Sequence, residues 1–297
     1  MECVELVDAF QAYLLGNFQI ALKSLQKLKA PNPDVQLKAD ILTYRIYIAQ
    51  KKYGIVLDEI TEDSESIELS LVRLLAEYFT NPDNPDILKK VDKVLAGNLN
   101  ADDETSLIIG ATIYMNARMF EAALKLLHQG HDINCNALTV QCLMSINRYD
   151  LAGKVVRRMQ VSDEDALACQ LTTALFYLSK GGEQLQEALH IYEELREKYG
   201  STPVVLNGQA AALIGMNRWE DAECLLQEAL DADSNNPDTI INMIMVSQHL
   251  GKPAETIHRL MSELKDCNKN HPFLLDYAAK EEEFSRCAQQ YAPSVSS

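Results

Sequence analysis

One short pattern returns along almost the whole chain, and few folds accommodate such a repeat. In its clearest copy, Met216-Asn217-Arg218-Trp219-Glu220-Asp221-Ala222 opens a helix that continues through Leu226 and Ala229. Ala222, Leu226 and Ala229 share one helical face, because residues three and four apart are neighbours on a helix. The alanines let a second helix come close, and the leucine fills the space beside them. That other helix comes just before: Leu206, Ala210 and Leu213 mark its face, and Gly215-Met216-Asn217 ends it. The residues opening the second helix of each copy are Phe18, Tyr53, Phe120, Tyr149, Leu185, Trp219 and Pro253, at successive intervals, by subtraction, of 35, 67, 29, 36, 34 and 34. Three residues after most of them stands a small or compact side chain: Ala21, Val56, Ala123, Ala152, Ala188 and Ala222. The long interval holds two copies. The middle one falls at Ile67 to Gly97, where Ile87, Leu88, Val91, Val94 and Leu95 form a stripe with no small residue at the expected place.

The spacing small-x11-small-x3-large-x2-small at a period near 34 residues is the tetratricopeptide pattern. It predicts an all-α fold, a right-handed superhelical solenoid of helical hairpins, in which each pair buries its apolar face against its neighbours. Eight pairs are expected: Val4–Leu15 with Phe18–Lys29, Val35–Gln50 with Tyr53–Ile60, Ile67–Phe79 with Asp86–Ala96, Glu104–Met115 with Phe120–His128, Ile133–Ile146 with Tyr149–Met159, Ala166–Ser179 with Leu185–Lys198, Pro203–Ile214 with Trp219–Leu230, and Thr239–Leu250 with Ala254–Leu264. Asp163-Glu164-Asp165 is expected to open the sixth pair, and Ser64 and Ser66 are candidate N-caps for the third. A solenoid grows by stacking, so residues 1–297 read as one domain with repeats to about 270. Residues 272–291 read as a polar capping helix and 292–297 as a frayed tail.

The formal net charge of -16 argues against direct binding to nucleic acid or an anionic membrane, both of which need a cationic surface, and favours a neutral or basic protein partner. Acidic residues near the N-terminus argue against a signal peptide, and no apolar run reaches the length that spans a bilayer. The seven cysteines are scattered singly and odd in number, the pattern of free thiols in a reducing cytosol.

Sites of chemistry are scarce. His128-Gln129-Gly130-His131 resembles a metal-ligand pair, but Gly130 interrupts it and no third ligand stands near. Cys135 and Cys142 read as core thiols. Gly251-Lys252 lacks the upstream glycine of a phosphate loop, and Pro253 occupies the place of the magnesium-binding hydroxyl. No nucleophile, base and oxyanion donor assemble, so neither an enzyme, a cofactor nor a metal is expected.

What remains is the inner surface lined by the first helix of each pair. The repeat register places Phe10, Tyr13, Arg45, Ile48, Thr112, Met115, Gln141, Met144, Asn207, Ala211, Ile214, Met245, Gln248 and His249 there as candidate partner-binding residues. Apolar and amide side chains with adaptable methionines suit a protein segment. Arg45 is the one cation in the set, which disfavours a clamp on a C-terminal carboxylate.

Several strings exceed what the repeat requires: Tyr44-Arg45-Ile46-Tyr47-Ile48-Ala49-Gln50-Lys51-Lys52-Tyr53-Gly54, Leu126-Leu127-His128-Gln129-Gly130, Leu206-Asn207-Gly208-Gln209-Ala210-Ala211, Ser247-Gln248-His249-Leu250-Gly251-Lys252-Pro253, His271-Pro272-Phe273 and Gln290-Tyr291-Ala292-Pro293. In these the chain resembles the coatomer epsilon subunit family from the first hairpin to the C-terminus, most weakly over Ser64 to Asp103. The resemblance implies a non-catalytic subunit of the Golgi vesicle coat. It also implies that the solenoid binds the C-terminal domain of the coatomer alpha subunit, and other coat subunits indirectly. The family's coat acts in retrograde Golgi-to-endoplasmic-reticulum and intra-Golgi transport, so the chain would be cytoplasmic and only peripheral to membranes. The competing reading is a cytosolic adaptor or co-chaperone that binds linear peptide motifs.

Overall fold

A computed structural model describes residues 3–28, 32–61, 64, 66–82, 84–98, 103–269 and 271–291. Among them are seventeen helices and no strand. The pairs are α1 (Val4–Leu14) with α2 (Phe18–Lys27), α3 (Pro33–Ala49) with α4 (Tyr53–Glu59), α5 (Ile67–Thr80) with α6 (Pro85–Asn98), and α7 (Glu104–Asn116) with α8 (Phe120–Leu127). They continue with α9 (Ile133–Ser145) and α10 (Tyr149–Asp163), α11 (Leu167–Lys180) and α12 (Gln184–Tyr199), α13 (Pro203–Gly215) and α14 (Trp219–Ala232), and α15 (Pro237–His249) and α16 (Ala254–Cys267). α17 (Pro272–Gln290) closes the series. The tail expected at 292–297 lies outside the described residues, as do parts of the polar breaks around 29–31, 62–65 and 99–102.

The chain divides into two compact units, Met1–Ile191 and Tyr192–Ser297, with the boundary inside α12. In the first unit, Ala9, Ala12, Ala21, Leu42 and Ile46 form one cluster, and a larger one runs from Ile41 through the helices up to Cys142. A third joins Val140, Leu143, Ala152, Val156, Met159, Cys169 and Phe176. In the second unit Leu206, Leu226, Ile240, Ile244 and Leu264 are almost wholly buried.

The small-residue positions behave as close-approach points. Ala21, Val56, Ala123, Ala152, Ala188 and Ala222 are each 0% exposed. In the irregular third pair the rhythm survives with larger side chains, Ile87, Val91 and Leu95 being buried. There the room comes from the following helix: Gly110 of α7 takes the ends of Leu95 and Leu126, 3.3 and 2.9 Å from where a Cβ would lie. Across the same junction the Tyr114 hydroxyl donates to Asp92 Oδ1 at 2.6 Å. Burial, then this carboxylate, hold the Tyr114 phenol neutral well above its ordinary range.

Six of the turns inside pairs share one device. Gly16, Lys51, Arg118, Asn147 and Asn217, each two residues before the second helix opens, and Gly251, three before, have φ between 58° and 77°. The next N–H reaches back five residues, as in Lys52 N to Tyr47 O at 2.9 Å and Arg218 N to Leu213 O at 2.9 Å. This is the left-handed helix stop that satisfies the last carbonyls and turns the chain. Helix starts are capped by side chains of Ser66, Asp103, Asp132, Thr202, Asn236 and His271. Asp163, expected to open the sixth pair, instead ends α10, and its Oδ1 accepts from Ala166 N at 3.1 Å to start α11. The helix α17, expected as a polar cap, buries Leu274 and leaves Leu275, Tyr277 and Phe284 exposed, as is Tyr291 at its C-cap.

Candidate partner-binding groove

Within the first unit the opening helices of successive pairs stand side by side and leave two clefts that share Thr112. The first, of about 320 Å3, takes Tyr13 from α1, Arg45, Ile48 and Ala49 from α3, Leu75 and Phe79 from α5, and Ile109 and Thr112 from α7. Lys51 and Tyr53 close its end. The second, of about 630 Å3, is lined by Thr112, Met115 and Asn116 of α7, Leu138, Gln141 and Ser145 of α9, and Arg118 and Phe120 from the turn and helix between. Tyr13, Arg45, Ile48, Thr112, Met115 and Gln141, six residues placed on the inner face by the repeat register, therefore converge on one continuous surface.

Its chemistry is mainly apolar around Ile48, Leu75 and Phe79, mixed polar and apolar around Met115, Gln141 and Ser145, and cationic at its edge. The Arg45 guanidinium lies 5.0 Å from the Tyr13 ring centroid, a cation–π contact that fixes its position. Tyr53 and Phe79 stack at 5.8 Å and 15°. Burial pushes the Tyr53 phenol up, so it lines the cleft as a neutral donor. Thr112 Oγ1 donates to Ile108 O at 2.7 Å, which leaves mainly its methyl to a partner. Among the described residues no carboxylate lines either cleft, although the chain as a whole is acidic. Arg45 is not the only cation, because Lys51 and Arg118 also reach the lining. They were missed because both sit in turns, outside the helical register that selected the other residues. Leu75 and Phe79 were missed because the third pair lacks the small residue that sets its phase.

The other candidates divide by role. Phe10 is half-buried and stacks on Tyr13 at 6.3 Å, and Met144 packs partly buried against the cluster of α9 to α11. In the second unit Asn207 is fully engaged: Nδ2 donates to Pro203 O at 2.8 Å and to Thr239 Oγ1 at 2.7 Å, while Oδ1 accepts from Asn242 Nδ2 at 3.0 Å. His249 stacks on Trp219 at 3.9 Å and 7°. These two join α13 to α15 and α14 to α15, so they clamp neighbouring repeats. Ala211 and Ile214 are half-buried, whereas Met245 and Gln248 stand exposed.

Among the described residues no group of three or more His, Cys, Asp or Glu side chains is placed to hold a metal ion, and no helix is long and apolar enough to cross a membrane. Paired helices, buried alanines and a lined groove define a tetratricopeptide-like solenoid, a scaffold class that presents surface to other proteins. Solved structures share this fold. They include the APC/C complex Cut9-Hcn1 (TM-score 0.59, 12% identity, covering 87% of this chain and 51% of that one) and yeast Tom70 (0.58, 15%, 94% and 61%). A tetratricopeptide repeat protein from Parabacteroides merdae matches similarly (0.57, 12%, 92% and 95%). The family model described as "Coatomer epsilon subunit" matches residues 3–292, and the chain belongs to that family. "Coatomer subunit epsilon-1" of Arabidopsis thaliana is 34% identical over 281 residues, 94% of each chain. "Coatomer subunit epsilon" of Dictyostelium discoideum is 34% identical over 90% of this chain and 91% of the relative, and that of Caenorhabditis elegans 32% over 93% and 94%. The chain is thus a coatomer component, part of a vesicle coat and associated with other coatomer subunits.

Proposed function

We propose that this chain is a non-catalytic coat subunit whose groove between α1 and α9 grips the C-terminal domain of the coatomer alpha subunit. In that role it stabilises the alpha subunit on Golgi membranes and on vesicles of the retrograde Golgi-to-endoplasmic-reticulum and intra-Golgi routes. The observation that carries the reading is the convergence of Tyr13, Arg45, Ile48, Thr112, Met115 and Gln141 on one continuous surface of mixed apolar and polar side chains in a member of the epsilon family. Half-exposed aromatic, methionine and arginine side chains are the kind that carry binding energy when a partner desolvates them.

The test is co-purification of the full chain with the alpha C-terminal domain. Arg45→Glu sets a carboxylate against the Tyr13 ring face and should weaken the complex about tenfold or more. An unchanged affinity would move the partner surface elsewhere. One observation favours a second reading, an adaptor for acidic peptide tails: Arg45 and Lys51 line a cleft that holds no carboxylate. Binding of such tails with no alpha complex would decide for it.

A further inference from the structure

A second cleft of about 620 Å3 opens between α8, the turn after it, α9 and α10, and shares no lining residue with the groove. Its rim carries Lys125, His128, His131 and Arg158, and among the described residues no carboxylate lines it. The floor is apolar, with Leu127, Leu143 and Met159 all buried. This gathers the His128 and His131 pair, which is too poor in ligands for a metal, beside two permanent cations from different helices.

Three features keep this edge cationic in a chain of net charge -16. The flanking carboxylates Asp132 and Asp163 keep their charge but are held at helix starts and do not line the cleft: Asp132 Oδ2 accepts from Asn134 N and Nδ2 at 3.0 and 2.6 Å, and Asp163 Oδ1 from Ala166 N. Arg158 Nη2 donates to Asn136 Oδ1 at 2.8 Å, which holds the guanidinium over the cleft and leaves its other N–H groups for a bidentate acceptor. Among the described residues neither Lys125 nor Arg158 forms an ion pair.

We infer that this cleft is a docking site for an acidic protein segment that places one aliphatic side chain on the floor and carboxylates against Lys125 and Arg158. Charge complementarity selects that occupant. A basic segment would find two unpaired cations here and no carboxylate among the described lining residues to meet it. The apolar floor gives an anchor that a small inorganic anion cannot use.

The experiment is fluorescence anisotropy on the full chain with a labelled short peptide, a central leucine flanked on both sides by glutamates. The peptide should bind the parent, and the same peptide with lysines for glutamates should not. Lys125→Glu with Arg158→Glu should lower affinity at least about tenfold and restore it toward the lysine peptide. Lys280→Glu, an exposed cation on α17, should change nothing. Both cleft positions are exposed, so an unchanged thermal melt is expected, and Lys125→Ser alone serves if the double variant misfolds. Failure of the acidic peptide to bind, equal binding by both peptides, or undiminished binding to the double variant would overturn the inference. So would binding of inorganic phosphate or anionic vesicles that the peptide does not displace.

Discussion

Gly208 shows how one residue sets the spacing of two helices. It lies on α13 against the Tyr192 ring of α12, and a Cβ there would overlap the ring. Glycine inside a helix ordinarily costs about 1 kcal/mol relative to alanine, so Gly54→Ala in α4, with open space around it, should be neutral or stabilising. Gly208→Ala should instead destabilise by about 1 to 3 kcal/mol through overpacking. Thermal unfolding of the two variants checks the opposite signs, and equal shifts would contradict the packing described. Burial also pushes Tyr192 up to about 12, from an ordinary value of 10.0. The folded state keeps this phenol neutral where the unfolded chain would ionise it, so its contribution is full below about pH 10 and lost as pH rises toward 12. Tyr192→Phe should therefore flatten stability against pH in that window, measured by denaturant midpoints. Thiols follow the same logic. Cys135 is pushed up to about 12, chiefly by burial, while Cys224 and Cys287 are exposed, so mild alkylation should label those two long before Cys135. The alanine positions were legible from spacing alone, since a helical period converts directly into a face. The contact of Gly208 with Tyr192 was not, because nothing in a repeat register says which ring on the neighbouring pair a glycine receives.

The turns connect element geometry to the groove. At Lys51 and Arg118 a side chain with a Cβ occupies the left-handed region, at φ of 60° and 58°, where Gly16 and Gly251 meet the same demand without the steric cost. Both strained cations also line the groove. Strain retained where a side chain faces a binding surface is consistent with a role for that side chain. Lys51→Gly and Arg118→Gly should each raise stability by up to about 1 kcal/mol while weakening the alpha complex. Titration calorimetry beside thermal melts separates the two effects, and weaker binding accompanied by lower stability would remove the argument. Helix pairing was readable because breaks such as Gly16-Asn17 and Gly251-Lys252 announce themselves. The third pair was not fully readable: no small residue stands at the expected place in it, and the room for Leu95 comes from Gly110, on a different helix. The aromatic exposure of α17 was also hidden, because its Lys and Glu residues suggested a polar face without saying how little of the other face would be covered.

Close helix packing follows chain order among the described residues: every strongly contacting pair is adjacent in sequence or one helix apart, as with α13 and α14, α14 and α15, and α13 and α15. In such an array stability is a sum of repeat terms and nearest-neighbour interfaces. Damage at one interface should then open its own neighbourhood and leave distant repeats closed, which a single cooperative core would not permit. Ala222→Phe tests this. Ala222 is 0% exposed at the close-approach point of α14, and a phenyl ring there forces the pair apart at a cost of about 1 to 3 kcal/mol. Amide exchange should quicken through α13, α14 and α15 while α1 to α3 keep their protection. Ala21→Phe, at the equivalent buried point of α2, should give the mirror result, with α1 to α3 opening and α13 to α15 unchanged. Equal loss of protection at both ends from either substitution would mean that the repeats unfold as one body. The consequence for function is separable as well. Ala21→Phe disturbs the helix that supplies Tyr13 to the groove, so it should weaken the alpha complex more than Ala222→Phe does, despite a similar cost in stability.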